Sequence, residues 1–167
     1  GYVTAPVIWA AKRLGHKTFI HEQNSVVGLS NKYLTKYVDK VGVSFESTLN
    51  EFPQDKVSLT GNPCSEKAIN TPKAKKKDFG LSEDKKLVLI VMGSLGSKTI
   101  NEKMVEYVYG FRNKSYEVLF VTGENYYEKL KTRRFPDNVK VVPFIKDLPS
   151  IMKCTDLMVS RAGASTM

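Results

Sequence analysis

A chain of 167 residues, 41% hydrophobic and 26% charged, suffices for one ordinary domain or two partial ones and holds no run near the roughly 18 apolar residues of a membrane span. Its two cysteines, Cys64 and Cys154, lack metal-type spacing and form no disulfide framework, which fits a reducing cytoplasm. The net charge of +9 calls for an anionic neighbour or is simply a lysine-rich solvated surface, and aromatics are not interleaved with the basic clusters as nucleic-acid stacking requires.

Residues 1–15 lack the basic-then-apolar order of a signal peptide. Val7, Ile8, Ala10, Ala11 and Leu14 predict a helix over residues 5–14, stopped by Gly15, with Lys12 and Arg13 matching the dipole at its end. A strand over 17–21 then runs into His21-Glu22-Gln23-Asn24, polar groups at a strand's carboxyl end, where open α/β sheets build their sites. A His beside a Glu is not a metal pair by spacing, and a buried, hydrogen-bonded His is the commoner occupant of such a position. Asn24 either caps the next helix or offers its amide to a ligand. Ser25 is placed to cap that helix, with Val26, Val27, Leu29, Leu34 and Val38 as its apolar positions. Strands follow over 41–45 and 57–60, and Gly61-Asn62-Pro63 turns the chain. Residues 64–86 show no sustained periodicity and carry the lysine run 73–77, read as a linker with a solvated face between segments 1–63 and 87–167.

Residues 87–92 are continuously apolar, the pattern of a parallel strand buried on both faces. Gly93-Ser94-Leu95-Gly96-Ser97 ends that strand, and Ile100, Met104, Val105 and Val108 then recur at helical spacing. Bare backbone N–H groups at such a helix start stabilise a phosphate or diphosphate, although glycines there also serve merely to turn the chain. The turn is not a Walker loop, and it lacks the third glycine and acidic residue of a dinucleotide fingerprint. A strand over 116–122 ending at Gly123, a helix over 125–133, a strand over 139–142, a short helix ending at Met152 and a strand over 156–160 complete the alternation. The fold class is therefore α/β with a mainly parallel sheet in each half. The small-residue loops around Ser94 and Gly163 then share one sheet edge, where a crevice can hold a nucleotide.

The pieces Gly1-Tyr2-Val3-Thr4-Ala5-Pro6, His21-Glu22-Gln23-Asn24, Gly61-Asn62-Pro63, Gly93-Ser94-Leu95-Gly96 and Ser160-Arg161-Ala162-Gly163-Ala164-Ser165-Thr166 resemble, in order and spacing and over the whole chain, glycosyltransferase family 28 enzymes of the GT-B type. The resemblance implies two Rossmann-like domains facing a cleft, both incomplete here: an acceptor domain through residue 63 and a donor domain from residue 87. It implies an inverting hexosyltransferase, without metal or cofactor, moving N-acetylglucosamine from UDP-N-acetylglucosamine to the muramoyl 4-hydroxyl of lipid I. The product is lipid II, made for peptidoglycan at the cytoplasmic face of the bacterial membrane by a peripheral protein.

By motif position, Asn24 resembles the family's donor-sugar contact and Ser94 its diphosphate or nucleotide contact. Ile145 resembles the residue whose backbone meets uracil, and Ala164, Ser165 and Thr166 the start of the diphosphate loop and helix. Inverting transfer needs a base for the acceptor proton and a dipole or cation for the leaving UDP. The family's proposed base, a His in a glycine-rich loop, precedes residue 1, so no catalytic residue is assigned and His21 does not replace it. Cys64 and Ser65 stand where some relatives have an Arg, and Met92 stands in place of a loop glycine. The Glu and Gln that hold ribose and sugar fall beyond Met167, so the chain reads as an internal fragment, inactive by itself. Lys12 and Arg13 beside Trp9 suit an anionic membrane surface, a solvated helix end being the simpler account. Other readings are a related GT-B lipid glycosyltransferase, a UDP-sugar epimerase or a non-catalytic nucleotide-binding module; no nucleic acid is expected.

Overall fold

In the computed structural model the described residues are 3–92 and 98–161, and they divide into two compact units meeting near residues 67 and 68. In the first unit, α1 (Thr4–Arg13) ends where Gly15 turns left-handed at φ 76°. The His16 N–H then reaches the Ala11 carbonyl at 2.9 Å and the Gly15 N–H the Lys12 carbonyl at 3.1 Å, which satisfies two otherwise orphaned carbonyls. Then come β1 (Phe19–Glu22), α2 (Leu29–Leu34), β2 (Lys40–Val43), a 3-10 turn (Glu46–Glu51), β3 (Val57–Leu59) and α3 (Pro63–Asn70). The three strands pair in parallel in the order β1-β2-β3. Ile8, Ile20, Leu34, Val38, Val41, Val43 and Phe52 form the core beneath them.

The amino edge of this sheet is fastened by Asp39. Its carboxylate accepts the Thr18 backbone N–H at 2.8 Å, the Thr18 hydroxyl at 2.9 Å and the Lys12 ammonium at 3.0 Å. The Thr18 N–H first and the Lys12 ammonium second hold this carboxyl well below the usual carboxylate range.

The second unit contains β4 (Leu87–Val91), α4 (Lys98–Tyr109), β5 (Glu117–Val121), α5 (Glu124–Leu130), β6 (Val139–Val142), α6 (Leu148–Met152) and β7 (Leu157–Ser160). Its strand order is β6-β5-β4-β7, all parallel. The chain thus winds outward from β4 to β6 and then returns to the other side of β4, which makes β4 and β7 the topological switch point. Alternation along the strands loads both faces. Leu87, Leu89, Leu119 and Val121 pack with Leu81, Ile145 and Ile151, while Ile90, Val118, Phe120 and Val139 pack with Val105, Val108 and Leu130.

Two expectations change. The helix expected to start behind Ser25 begins at Leu29 instead, with Gly28 at its N-cap and no side-chain cap, and it ends before Val38. The loop ahead of it is held by Glu22 rather than by helical bonds, as described below. The stretch 64–86, read as a linker, contains α3, a 3-10 turn (Lys76–Phe79) and Leu81 in the core. Lys76 within the lysine run is buried, its ammonium donating to the Lys85 carbonyl at 2.7 Å and the Glu83 carbonyl at 3.3 Å. A cation buried with backbone acceptors keeps its charge solvated by protein, which composition alone does not reveal.

Gly42 illustrates how tightly the first sheet is closed at its site end. A Cβ there would stand 2.6 Å from Phe19 Cζ, 2.9 Å from Thr60 Oγ1 and 3.0 Å from His21 Cδ2. Gly42→Ala is expected to destabilise the protein by about 1–3 kcal/mol, the usual cost of overpacking, measured by urea unfolding; a change below about 0.5 kcal/mol, within the range of neutral surface substitutions, would show that His21 and Phe19 yield freely.

Candidate functional site

All strands of each sheet end on one edge, and His21, Glu22 and Asn24, singled out in the sequence, lie at that edge of the first sheet. At the first sheet, His21 and Glu22 are the last residues of β1. The His21 ring places Nε2 3.1 Å from both Thr60 Oγ1 and the Gly61 carbonyl, so it ties the end of β1 to the turn after β3. This is the structural role of a satisfied histidine. Ser44 follows β2 and gives its N–H to the Glu22 carbonyl at 3.0 Å.

Glu22 is 1% exposed. Its Oε1 accepts the Asn24 backbone N–H and the Asn24 Nδ2, both at 2.9 Å, while Oε2 accepts the Gly28 N–H at 2.8 Å and the Asn31 Nδ2 at 3.0 Å. Burial pushes this carboxyl up, but the hydrogen bonds from Asn24, Gly28 and Asn31 together outweigh it and hold the group below its ordinary value. Four donors around one carboxylate shape the loop over residues 23–28 without any helix. They also orient Asn24, which is exposed. With Nδ2 committed to the carboxylate, the Asn24 Oδ1 is the atom left outward, an acceptor for a ligand hydroxyl.

At the second sheet, a cavity of about 240 Å³ opens at the carboxyl ends of β4, β5 and β6, lined among others by Val91, Val121, Gly123, Pro143, Phe144 and Ile145. Gly123 adopts φ 83° and gives its N–H to the Pro143 carbonyl at 2.9 Å, which closes the cavity's side. Ile145 is 7% exposed with its side chain in the core. Among the described residues, no hydrogen bond engages its backbone N–H or C=O. Phe144 beside it is 57% exposed, a flat apolar face at the cavity mouth. Arg161 follows β7 and is exposed, and among the described residues no carboxylate pairs with it or with Lys146.

Ser94, Ala164, Ser165 and Thr166 lie outside the described residues. Val91 and Ser160, the last residues of β4 and β7, are paired in register. Among the described residues, no three His, Cys, Asp or Glu side chains converge as a metal site. Sequence reasoning overlooked Asn31 and the part played by Glu22; an Asn nine positions after a buried acid leaves no local pattern.

The chain matches the glycosyltransferase family 28 N-terminal domain over residues 1–43 and the glycosyltransferase family 28 C-terminal domain over residues 87–167. It is 49% identical to the UDP-N-acetylglucosamine--N-acetylmuramyl-(pentapeptide) pyrophosphoryl-undecaprenol N-acetylglucosamine transferase of Bacillus cytotoxicus, over 100% of this chain and 47% of that protein. The protein of the same name from Bacillus subtilis is 42% identical with the same coverage. The chain therefore spans about half the length of the curated relatives it matches. A crystal structure of MurG from Acinetobacter baumannii superposes with a TM-score of 0.68 at 31% identity, over 99% of this chain and 46% of that one. The UDP-GlcNAc 2-epimerase of Methanocaldococcus jannaschii superposes at 0.55 with 13% identity, over 92% of this chain and 51% of that one, a likeness of fold alone.

Glu22→Gln removes the charge and turns one acceptor into a donor facing donors. It is expected to lower stability by about 2–3 kcal/mol at neutral pH, from lost charge-assisted bonds and an unsatisfied amide. Because the folded-state pKa of Glu22 lies below its ordinary 4.5, its contribution is complete above that value and fades as pH falls through the lowered one. The difference between wild type and Glu22→Gln in urea unfolding should accordingly shrink on acidification below about pH 4.5; a difference constant down to strong acid would contradict this.

Proposed function

The chain belongs to glycosyltransferase family 28 and is built on the GT-B plan, and on that premise we propose that it forms part of an inverting hexosyltransferase that moves N-acetylglucosamine from UDP-N-acetylglucosamine to lipid I, yielding lipid II. In this reading residues 1–63 belong to the acceptor domain, 64–86 join the two and 87–167 begin the donor domain. The observation that carries it is the cavity at Ile145. A buried residue with a free backbone N–H and C=O at an apolar slot complements a flat heterocycle that offers one acceptor and one N–H donor, as uracil does. Phe144 adds a face for stacking.

The chemistry follows from what each group can hold. As the glycosidic bond to UDP breaks, negative charge builds on the diphosphate. The N-terminus of α4 and the cation of Arg161 favour that charge, and they do so without a resident metal. Ser94 and the segment Ala164-Ser165-Thr166 are assigned to the diphosphate by motif position. Asn24, its acceptor turned outward by Glu22, is assigned to a sugar hydroxyl. The base that takes the acceptor proton is not among these residues, so transfer belongs to the longer protein and not to this segment. A nucleotide-binding module without transfer uses the same cavity; it differs in that lipid I is not consumed.

The acceptor is a membrane lipid, and α1 suits work at an anionic surface. Val3, Val7, Trp9 and Leu14 are exposed along it. Lys12 is committed to Asp39, which leaves Arg13 as the α1 cation without a carboxylate partner among the described residues. No described helix is long and apolar enough to cross a membrane, and the reading is of peripheral attachment at the cytoplasmic face.

Calorimetric titration into the full-length protein should give tighter binding of UDP-N-acetylglucosamine than of UDP-glucose or UDP-N-acetylgalactosamine. Asn24→Ala should weaken the sugar nucleotide about tenfold, one lost hydrogen bond, while leaving UDP itself unchanged. A folded full-length protein that binds no UDP-sugar overturns the proposal. Arg13→Glu should reduce sedimentation with anionic liposomes by several-fold, on the order of 1 kcal/mol per surface charge, and unchanged sedimentation removes α1 from the membrane contact.

A further inference from the structure

Among the described residues that line the cavity at the ends of β4, β5 and β6, Lys146 alone carries a polar side chain; from Val91 on β4 to Pro149 on α6 the rest is hydrocarbon or glycine. Ile145 turns its side chain into the core, while Phe144 before it and Lys146 after it are exposed. Lys146 thus both lines the cavity and is exposed, which suits a lysine whose stem follows an apolar wall with its ammonium at the wet end. Among the described residues no carboxylate pairs with that ammonium, not even that of Asp147 next in the chain.

The polar groups on this wall come in a fixed order along the chain. The Ile145 N–H is a donor, the Ile145 C=O an acceptor and the Lys146 ammonium a donor again. The hydrogen-bonding edge of uracil runs acceptor, donor, acceptor through O2, N3–H and O4. The backbone of one residue answers two of these three groups and leaves one carbonyl over. In an apolar slot a carbonyl without a donor costs affinity, and no other side chain of the wall can supply one.

We propose that Lys146 is a specificity residue of the base site, its ammonium donating to the uracil carbonyl that the Ile145 backbone leaves free. The inference rests on the UDP-sugar reading and deepens it. Three alternating contacts read more of the base than two. In either orientation cytosine sets a lone pair against the Ile145 carbonyl and an amino group against one of the two donors, so a cytidine nucleotide is rejected at two positions out of three. The cation also has reach: its flexible stem adapts to a base that the backbone has already oriented.

The experiment is titration of uridine and of UDP into the full-length protein, as wild type, Lys146→Met and Lys146→Arg, with thermal unfolding recorded for each. Methionine keeps an apolar stem and removes the donor, and at an exposed position all three proteins should unfold alike. Uridine and UDP should both weaken by the same factor in Lys146→Met, about tenfold for one lost hydrogen bond to a charged donor, and Lys146→Arg should restore most of it. 2-Thiouridine and 4-thiouridine identify the carbonyl, because sulfur is a poor acceptor: one of the two should lose its penalty in Lys146→Met while the other keeps it. Unchanged uridine affinity in Lys146→Met, a loss confined to UDP, or penalties that both persist overturn the assignment and leave the UDP-sugar reading standing. Wild-type protein that binds neither UDP nor uridine overturns both.

Discussion

Parallel pairing is the constraint from which the site geometry follows. A parallel strand cannot return by a hairpin, so every connection must cross a face of its sheet, and every strand delivers its carboxyl end to the same edge. In the first unit this gathers His21, Glu22, Ser44 and Thr60. In the second it gathers Val91, Thr122, Pro143 and Ser160. Residues separated by tens of positions become neighbours because backbone geometry offers them nowhere else to emerge. In the second unit the inner strands β4 and β5 are buried on both faces, so polar groups there are left with the edges.

The two edges of each sheet use their charges differently. At the amino edges carboxylates act as fasteners. Asp39 holds Thr18 and Lys12. Asp156 holds the Leu87 N–H at 2.8 Å and the Lys86 ammonium at 2.7 Å, and Lys86 first, then Leu87, keeps its carboxyl below the usual range. Glu117, at the start of β5, takes the Ser82 N–H at 2.7 Å. At the carboxyl edges the one buried carboxylate, among the described residues, is Glu22. It is held by amide and backbone donors rather than by a cation. At the second sheet Arg161 has no carboxylate partner among the described residues, and such a cation favours an anionic ligand.

Periodicity made the regular elements legible. Every strand predicted from an apolar run is present with each end within two residues of its expected place, since the end of a run and the end of pairing are set by different physics. The helix behind Ser25 starts later than expected because Val26 and Val27 fit its apolar stripe, yet Val26 is 79% exposed: Glu22, a buried acid four positions before Val26, claims the N–H groups of Asn24 and Gly28. α3 is harder to read because it is only eight residues long and buries no side chain, so no sustained apolar repeat marks it. Lys76 and Asn101 show the wider limit. Each is a polar residue whose burial depends on acceptors from other parts of the chain, and no local pattern encodes those. Of the candidate site, Asn24 and Ile145 are reached through motif resemblance; the carboxylate that holds Asn24, and the Ile145 backbone without a hydrogen bond among the described residues, depend on contacts distant in sequence.

Lys153 offers its ammonium to the carbonyls of Ile69 and Thr71, 84 and 82 positions earlier, and the Ala74 N–H reaches the Ser150 carbonyl at 3.0 Å. The segment that opens the second unit is thus completed by the helix that precedes its last described strand. During synthesis residues 69–81 must wait, with Leu81 and Phe79 uncovered, until α6 has left the ribosome. Closing so long a loop comes late and slowly compared with the neighbouring β4–β5 and β5–β6 pairings. The lysines at 73, 75 and 77, exposed in the finished fold, keep that waiting segment charged and solvated, which protects the nascent chain from sticking to its neighbours before the unit closes.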